Sequence, residues 1–204
     1  MPRVLRPKGL RATIGSLLSA AALLAAPAAA NACASTPTST PFKPFGDAAQ
    51  YSLVANGAFE SGTAGWSLTR ASVTGGSETY RVHGAADAKS LAVQPTGVAV
   101  SPAFCVDINR PTFRFFARRT SGTWGTLNVR LRWRTADGAV NETTVGALGG
   151  SSTAWQVSPV LNLAATLPLW NGGQNATVQL VFDPEDYGGA WAIDDVYIDP
   201  YVRG

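Results

Sequence analysis

Two carboxylates stand side by side near the end of the chain, in Trp191-Ala192-Ile193-Asp194-Asp195-Val196-Tyr197-Ile198-Asp199. Acids inside an apolar strand are costly unless hydrogen bonds, exposure or a cation compensates them. A possible companion is Glu60, in Asn56-Gly57-Ala58-Phe59-Glu60-Ser61-Gly62 followed by Gly65-Trp66. There Asn-Gly makes a turn, Phe59 can enter a core, and Glu60 alternates away from it. Purely structural uses stay open: Glu60 could accept hydrogen bonds from turn amides, and the two Asp residues could be exposed at a sheet edge. Asp183, Glu185 and Asp186, with Pro184 and Gly188, read as a solvated turn.

Catalytic chemistry is poorly provided for. His83 is the sole histidine, and no Gly-x-Ser-x-Gly elbow offers it a nucleophile. A glycosidase pair needs two acids flanking a cleft, whereas Glu78 and Glu142 stand alone. The expectation is a protein without enzymatic activity, a small hydrolase built on His83 being the least favoured class. The two cysteines, Cys33 and Cys105, make an even pair suited to a disulfide in an oxidising compartment. Their pairing would close a loop of about 72 residues and stabilise by roughly 4 kcal/mol in the chain-entropy model. Asn141-Glu142-Thr143 and Asn175-Ala176-Thr177 match the glycosylation sequon, which matters only if the host glycosylates.

The charge lies unevenly. The chain carries 16 Lys and Arg against 13 Asp and Glu, a formal +3, but Arg3, Arg6, Lys8 and Arg11 crowd the start and no acid precedes Asp47. Beyond residue 30 the balance is 12 bases to 13 acids, a net −1. Near neutrality argues against a nucleic-acid binder, which needs a basic surplus on one face. The basic start, the Leu- and Ala-rich run from Ile14 to Ala26 and the small residues after Pro27 have the three parts of a secretory signal peptide. The run is broken by Ser16, Ser19 and Pro27 and falls short of the ~20 residues that span a bilayer. Residues 1–30 are therefore expected to be a cleaved export signal, leaving a secreted protein with no inserted segment. Lipidation of Cys33 is the sharper alternative, although Ala30-Asn31-Ala32 matches a lipoprotein box poorly.

These residues must be held by strands. Residues 31–50, rich in Thr, Ser and Pro, read as an irregular arm that Phe42 and Phe45 would pack onto the rest and a disulfide would tether. From 51 to 204, short β-branched and aromatic runs alternate with Gly, Pro, Asn and Asp clusters, the pattern of an all-β domain. The clearest strand is Leu127 to Arg134, strictly alternating, with Leu127, Val129, Leu131 and Trp133 inward and Asn128, Arg130, Arg132 and Arg134 outward. Phe113 to Arg118 precedes it across a Gly-containing loop, so the two are expected to pair and merge Arg114, Arg118, Arg130, Arg132 and Arg134 into one strip. Further strands are expected at Tyr51 to Val54, Ser67 to Val73, Thr79 to Val82, Ser90 to Val93, Val98 to Ser101, Val140 to Val145, Trp155 to Leu161, Thr177 to Phe182 and Ala190 to Ile198. That number fits a two-sheet antiparallel β-sandwich of the jelly-roll kind.

Asn-Gly-x-Phe-Glu with Gly-Trp a few residues on, together with the terminal Ile-Asp-Asp-Val strand, resembles the galactose-binding-like jelly roll of carbohydrate-binding modules from secreted glycoside hydrolases. The resemblance spans roughly Leu53 to Ile198, with its specific motifs at the two ends. It implies first and last strands running close together, and a structural Ca²⁺ there held by Glu60 and Asp194; oxygen ligands of this kind suit that ion. It also implies a polysaccharide or cell-surface glycan as partner, and the chain is expected to be a monomer. Such proteins grip sugars with exposed aromatic rings and polar side chains. Trp66, Trp191, Trp133 and Trp155 read as core, which leaves Trp124, Trp170 and Tyr187 in Gly-containing loops as ring candidates. Arg130 and Arg132 are polar candidates, able to grip uronic acids unless neighbouring acids balance them. A structural or adhesive cell-surface protein without a sugar groove is the alternative.

Overall fold

Eleven antiparallel strands are formed among the described residues, and their inward rows meet in a core between two layers. In this computed structural model, residues 36–107, 112–135, 137–163, 175–185 and 189–199 are described. The strands are β1 (Ser52–Leu53), β2 (Ser67–Gly75), β3 (Lys89–Val100), β4 (Phe104–Asp107), β5 (Thr112–Arg119), β6 (Gly125–Arg134), β7 (Val140–Gly150), β8 (Gln156–Val157), β9 (Leu161–Asn162), β10 (Asn175–Pro184) and β11 (Trp191–Asp199). A first layer has β11 between β3 and β5, with β8 and β9 on the far side of β5 and β1 beside the end of β11. The second layer runs β7, β6, β10, with β4 also paired to β10.

β3 belongs to both layers. Its first half pairs Leu91, Ala92 and Val93 with β11, while Ala99 and Val100 pair with β10. The chain turns between these halves at Gln94-Pro95-Thr96-Gly97, where Thr96 takes a positive φ of 61° and β2 shifts register at Arg70. A Cβ on Gly97 would lie 2.7 Å from the carbonyl oxygens of Arg70 and Gln94, so only glycine fits this crossing.

Alternation then fills the space between layers. Phe113, Phe115 and Ala117 of β5 face Leu127, Val129 and Leu131 of β6 and Val178, Leu180 and Phe182 of β10, all buried. The Phe115 and Phe182 rings meet edge to face at 5.1 Å across the interface. Trp66 and Trp191 lie in this core, and Trp133 packs partly buried against it. The all-β, two-layer antiparallel jelly roll expected from the sequence is what the chain forms.

A second cluster lies on the outer face of the first layer. Phe42, Tyr51, Phe116, Trp155, Ala192 and Tyr197 are buried there, with Phe45 packed against them. The segment from residue 36 to 51 thus covers Phe116, a residue whose neighbours Arg114 and Arg118 suggested a wet face. Arg114 is buried with it, bonded to Asp47 Oδ2 at 2.7 Å and to the Ser158 carbonyl at 2.8 Å.

Several expectations are corrected. β5 pairs with β11, β8 and β9, and β6 with β10 and β7, so the five arginines do not form one strip: Arg114 and Arg118 belong to the other layer from Arg130, Arg132 and Arg134. Thr79 to Val82 is a loop and not a strand, because its amides turn onto the Glu78 carboxylate instead of a neighbouring strand. Ser90 to Val93 and Val98 to Ser101 belong to a single bent strand, and Trp155 to Leu161 holds two short bridging strands. β4 had no expectation attached.

Candidate functional site

Two places gather polar side chains in ways that the core does not require. The first is the outer face of the second layer. Residues paired across antiparallel strands point the same way, so Arg132 stands with Glu142 and Gln179, Arg130 with Thr144 and Val181, and Asn128 with Ala147 and Asp183. At one end of β6 this face opens into a cleft of about 520 Å³ lined by Arg132, Trp133, Arg134, Thr177, Gln179 and Val140, among others. At the other end Trp124 is 58% exposed, its ring lying against the small residue Gly149 of β7. The nine-residue rise between them is roughly 30 Å along the strand.

The arginines here are already engaged. Arg130 contacts Glu142 at 3.4 Å and Asp183 at 3.0 Å, and Arg132 contacts Glu142 at 2.6 Å. These ion pairs leave the Arg130 and Arg132 guanidiniums balanced and able to meet hydroxyl groups, while Arg134 at the cleft donates to the Gly138 carbonyl at 3.2 Å and has no carboxylate partner among the described residues. Gln179 donates to the Ser101 carbonyl at 2.9 Å, which fixes its amide at the cleft wall. Of the ligand residues expected from the sequence, Trp124, Arg130 and Arg132 share this face. Trp170 and Tyr187 lie outside the described residues.

The second place is the bulge in β11. Pairing with β5 shifts register between Asp194 and Tyr197, and Asp195 sits there with a positive φ of 50°. The Asn-Gly turn clasps this bulge: Val54 N–H donates to the Val196 carbonyl at 2.9 Å and Val196 N–H to the Gly57 carbonyl at 3.1 Å. A Cβ on Gly57 would lie 2.7 Å from the Val196 oxygen, which explains the glycine. Asn56 closes its own loop by donating to the Gly62 and Ala64 carbonyls and accepting from Ser61 N–H. Phe59 enters the core against Trp66, ring centres 4.8 Å apart.

The acids expected to share a calcium ion have other partners. Glu60 Oε1 accepts from the backbone N–H groups of Ala88 and Lys89, each at 2.8 Å. Asp194 Oδ2 accepts from Ser77 Oγ and Glu78 N–H, and its Oδ1 from Asp195 N–H. Among the described residues, the compact group able to hold a metal is instead His83, Asp87 and Asp195, whose ligand atoms lie within 4.8 Å of one another. Both carboxylates thus act in this structure as hydrogen-bond acceptors that tie loops to strands.

The pocket under the 77–88 loop is strongly acidic. Glu78, Asp87, Asp194 and Asp195 are all buried, while the His83 side chain is 39% exposed. Burial, then repulsion from Asp194, Glu78 and Asp87, pushes the Asp195 pKa up to about 9, and burial raises Asp194 to about 7. Burial likewise raises Glu78, against hydrogen bonds from Val82, Tyr80 and Arg81. The His83 ring is 2.9 Å from Asp87 Oδ1 and, among the described residues, meets no hydroxyl that could serve as a nucleophile. The second cysteine, Cys105 on β4, stands opposite Thr177 and is not a free thiol; Cys33 lies outside the described residues.

The fold is that of the β-sandwich jelly rolls found in carbohydrate-binding modules. Among solved structures, the xylan-binding domain CBM22-1 of Paenibacillus barcinonensis Xyn10C matches with a TM-score of 0.51 and 14% identity over 72% of this chain and 93% of that one. The tandem CBM22-1 and CBM22-2 domain of the same enzyme matches with a TM-score of 0.51 and 15% identity over 76% of this chain and 46% of that one. The CBM22-1 and GH10 modules of Clostridium thermocellum xylanase 10B, complexed with xylohexaose, match with a TM-score of 0.51 and 13% identity over 74% of this chain. The chain spans 29% of the length of that last structure. No protein-family model matches the sequence, and no curated protein matches it.

Proposed function

We propose that this chain is a secreted, non-catalytic domain that binds a neutral polysaccharide along the outer face of the second layer. The observation that carries the reading is the cleft between Arg132, Trp133, Arg134, Thr177 and Gln179 at one end of β6, on the same outward face that bears the exposed Trp124 ring at the other end. An apolar ring supports a pyranose face, and fixed polar groups orient its hydroxyls. The xylan-binding structures of similar fold support a sugar as the ligand class. The export reading of residues 1–30 supports an extracellular setting, where Cys33 and Cys105 bond and tie the arm to β4. Affinity electrophoresis in native gels containing xylan, a galactan or a polyuronate tests the proposal. Retardation by a neutral polymer, lost in Trp124→Ala and weakened in Gln179→Ala, is expected. Unchanged mobility in every gel overturns it in favour of a structural or adhesive role.

A further inference from the structure

The acidic pocket is left unexplained by sugar binding, since it lies under the loop that covers the first layer, and Asp195 and the outward row of β6 are on different strands of different layers. Its state is unusual for a protein interior. Asp195 is fully buried, and neither carboxylate oxygen has a hydrogen-bond partner; Asp87, 5% exposed, leaves its Oδ2 unpartnered. The His83 backbone N–H approaches the Asp195 carboxylate and favours its charged form, a small effect beside the burial and the surrounding acids. A buried carboxylate left unmatched must either keep its proton or meet a compensating charge. Among the described residues no Lys or Arg forms an ion pair with Glu78, Asp87, Asp194 or Asp195. Arg81, the nearest guanidinium along the loop, spends its Nη1 on the carbonyls of Ala85 and Asp87.

We propose that His83, Asp87 and Asp195 form a binding site for a divalent first-row transition-metal ion. One imidazole nitrogen and two carboxylate oxygens make a three-ligand set with room for water, and their span of at most 4.8 Å is close to what an ion with ~2.0–2.2 Å bonds needs. The nitrogen ligand selects zinc and its neighbours over calcium, whose shell is built of oxygens. Half-exposed His83 provides the way in from solvent, and Asp194, with Oδ2 held by Ser77 and Glu78, ties the loop to the strand around the ion. Asp87 already orients the imidazole through Nδ1. Binding exchanges that hydrogen bond for two metal bonds and displaces the protons that otherwise neutralise the pocket.

The site is independent of the carbohydrate reading, and its test uses the whole chain. After chelator treatment and dialysis, titration calorimetry with Zn²⁺ and separately with Ca²⁺ at pH 7.5 would measure stoichiometry, and melting curves would follow stabilisation. One Zn²⁺ per chain is expected, with a rise in melting temperature. His83→Ala, on an exposed side chain that the fold does not need, should weaken Zn²⁺ binding roughly tenfold or more, and Asp195→Asn should abolish it. Co²⁺ loaded in place of Zn²⁺ should give the visible absorption of a low-coordinate nitrogen and oxygen site, absent in His83→Ala. No Zn²⁺ uptake by the native chain overturns the proposal. So does uptake that His83→Ala leaves unchanged, or binding of Ca²⁺ in preference to Zn²⁺.

Discussion

Replacing Phe42 by Ala would test whether the segment before β1 is part of the fold. The ring has no solvent exposure. It stacks on Phe116 at 5.6 Å, meets Tyr51 and Tyr197 edge to face at 4.8 and 5.7 Å, and carries the Arg114 guanidinium at 4.8 Å from its centre. Truncating a buried Phe to Ala costs about 3–5 kcal/mol. The site cannot collapse easily, because its walls are rings fixed on β5 and β11 and on Tyr51, so the middle of that range, about 4 kcal/mol, is the expected loss. For a domain of this size each kcal/mol moves the melting temperature by about 2–4 °C, which gives a fall of roughly 8–16 °C. Phe42→Leu keeps most of the apolar volume but removes the ring faces, and should lose about 1–2 kcal/mol. Urea unfolding followed by tryptophan fluorescence would read both values, with Trp155 in the same cluster as a reporter. A Phe42→Ala loss of less than about 0.5 kcal/mol, the size expected of a surface change, would refute the claim that the arm completes the first layer.

Two further outcomes follow from charges described above. Burial works against ionised Asp47, yet hydrogen bonds from Tyr51, Arg114 and Ala49 hold its pKa below the ordinary 3.8. The folded state therefore binds this proton less tightly than the unfolded chain. The stability it contributes is complete above pH 3.8 and is lost as the pH falls through the lower folded value. Asp47→Asn should cost about 2 kcal/mol near neutrality, and urea midpoints of parent and variant should converge on acidification; parallel curves down to pH 3 would contradict the assignment. On the carbohydrate face, Glu142→Gln removes the partner shared by Arg130 and Arg132. The variant should acquire retardation in a polyuronate gel, and indifference to that polymer would mean the ion pairs are not what shapes the preference.

The strands whose alternation is strict were legible in the sequence. β6 shows its two faces residue by residue, and the Asn56 to Phe59 turn and the Trp191 to Asp199 strand do meet. Pairing was not legible. The short loop after β5 suggested a hairpin with β6, whereas the chain crosses there from one layer to the other, and Gly189 shows how closely that crossing packs: a Cβ on it would lie 2.1 Å from the Ser121 oxygen. Phe116 between two arginines reads as exposed unless one knows that a distant segment lies over it. The metal ligands were missed for a related reason. His83, Asp87 and Asp195 come from a loop and a strand more than 100 residues apart, and only the bulge at Asp195 turns its carboxylate toward the loop. The adjacent acids signalled a costly buried place, and the fold treats the two differently: Asp194 accepts from Ser77, Glu78 and Asp195, whereas Asp195 has no such set of donors.

Ser52 and Ile198 are direct partners across β1 and β11. The body of the domain is therefore entered and left at one point on its edge, like a loop tied at its neck. Such geometry permits a module to be threaded into a host polypeptide, or fused at either end, with little separation between the flanking segments. That neck belongs to the first layer, while Trp124 and the cleft lie on the outward side of the second.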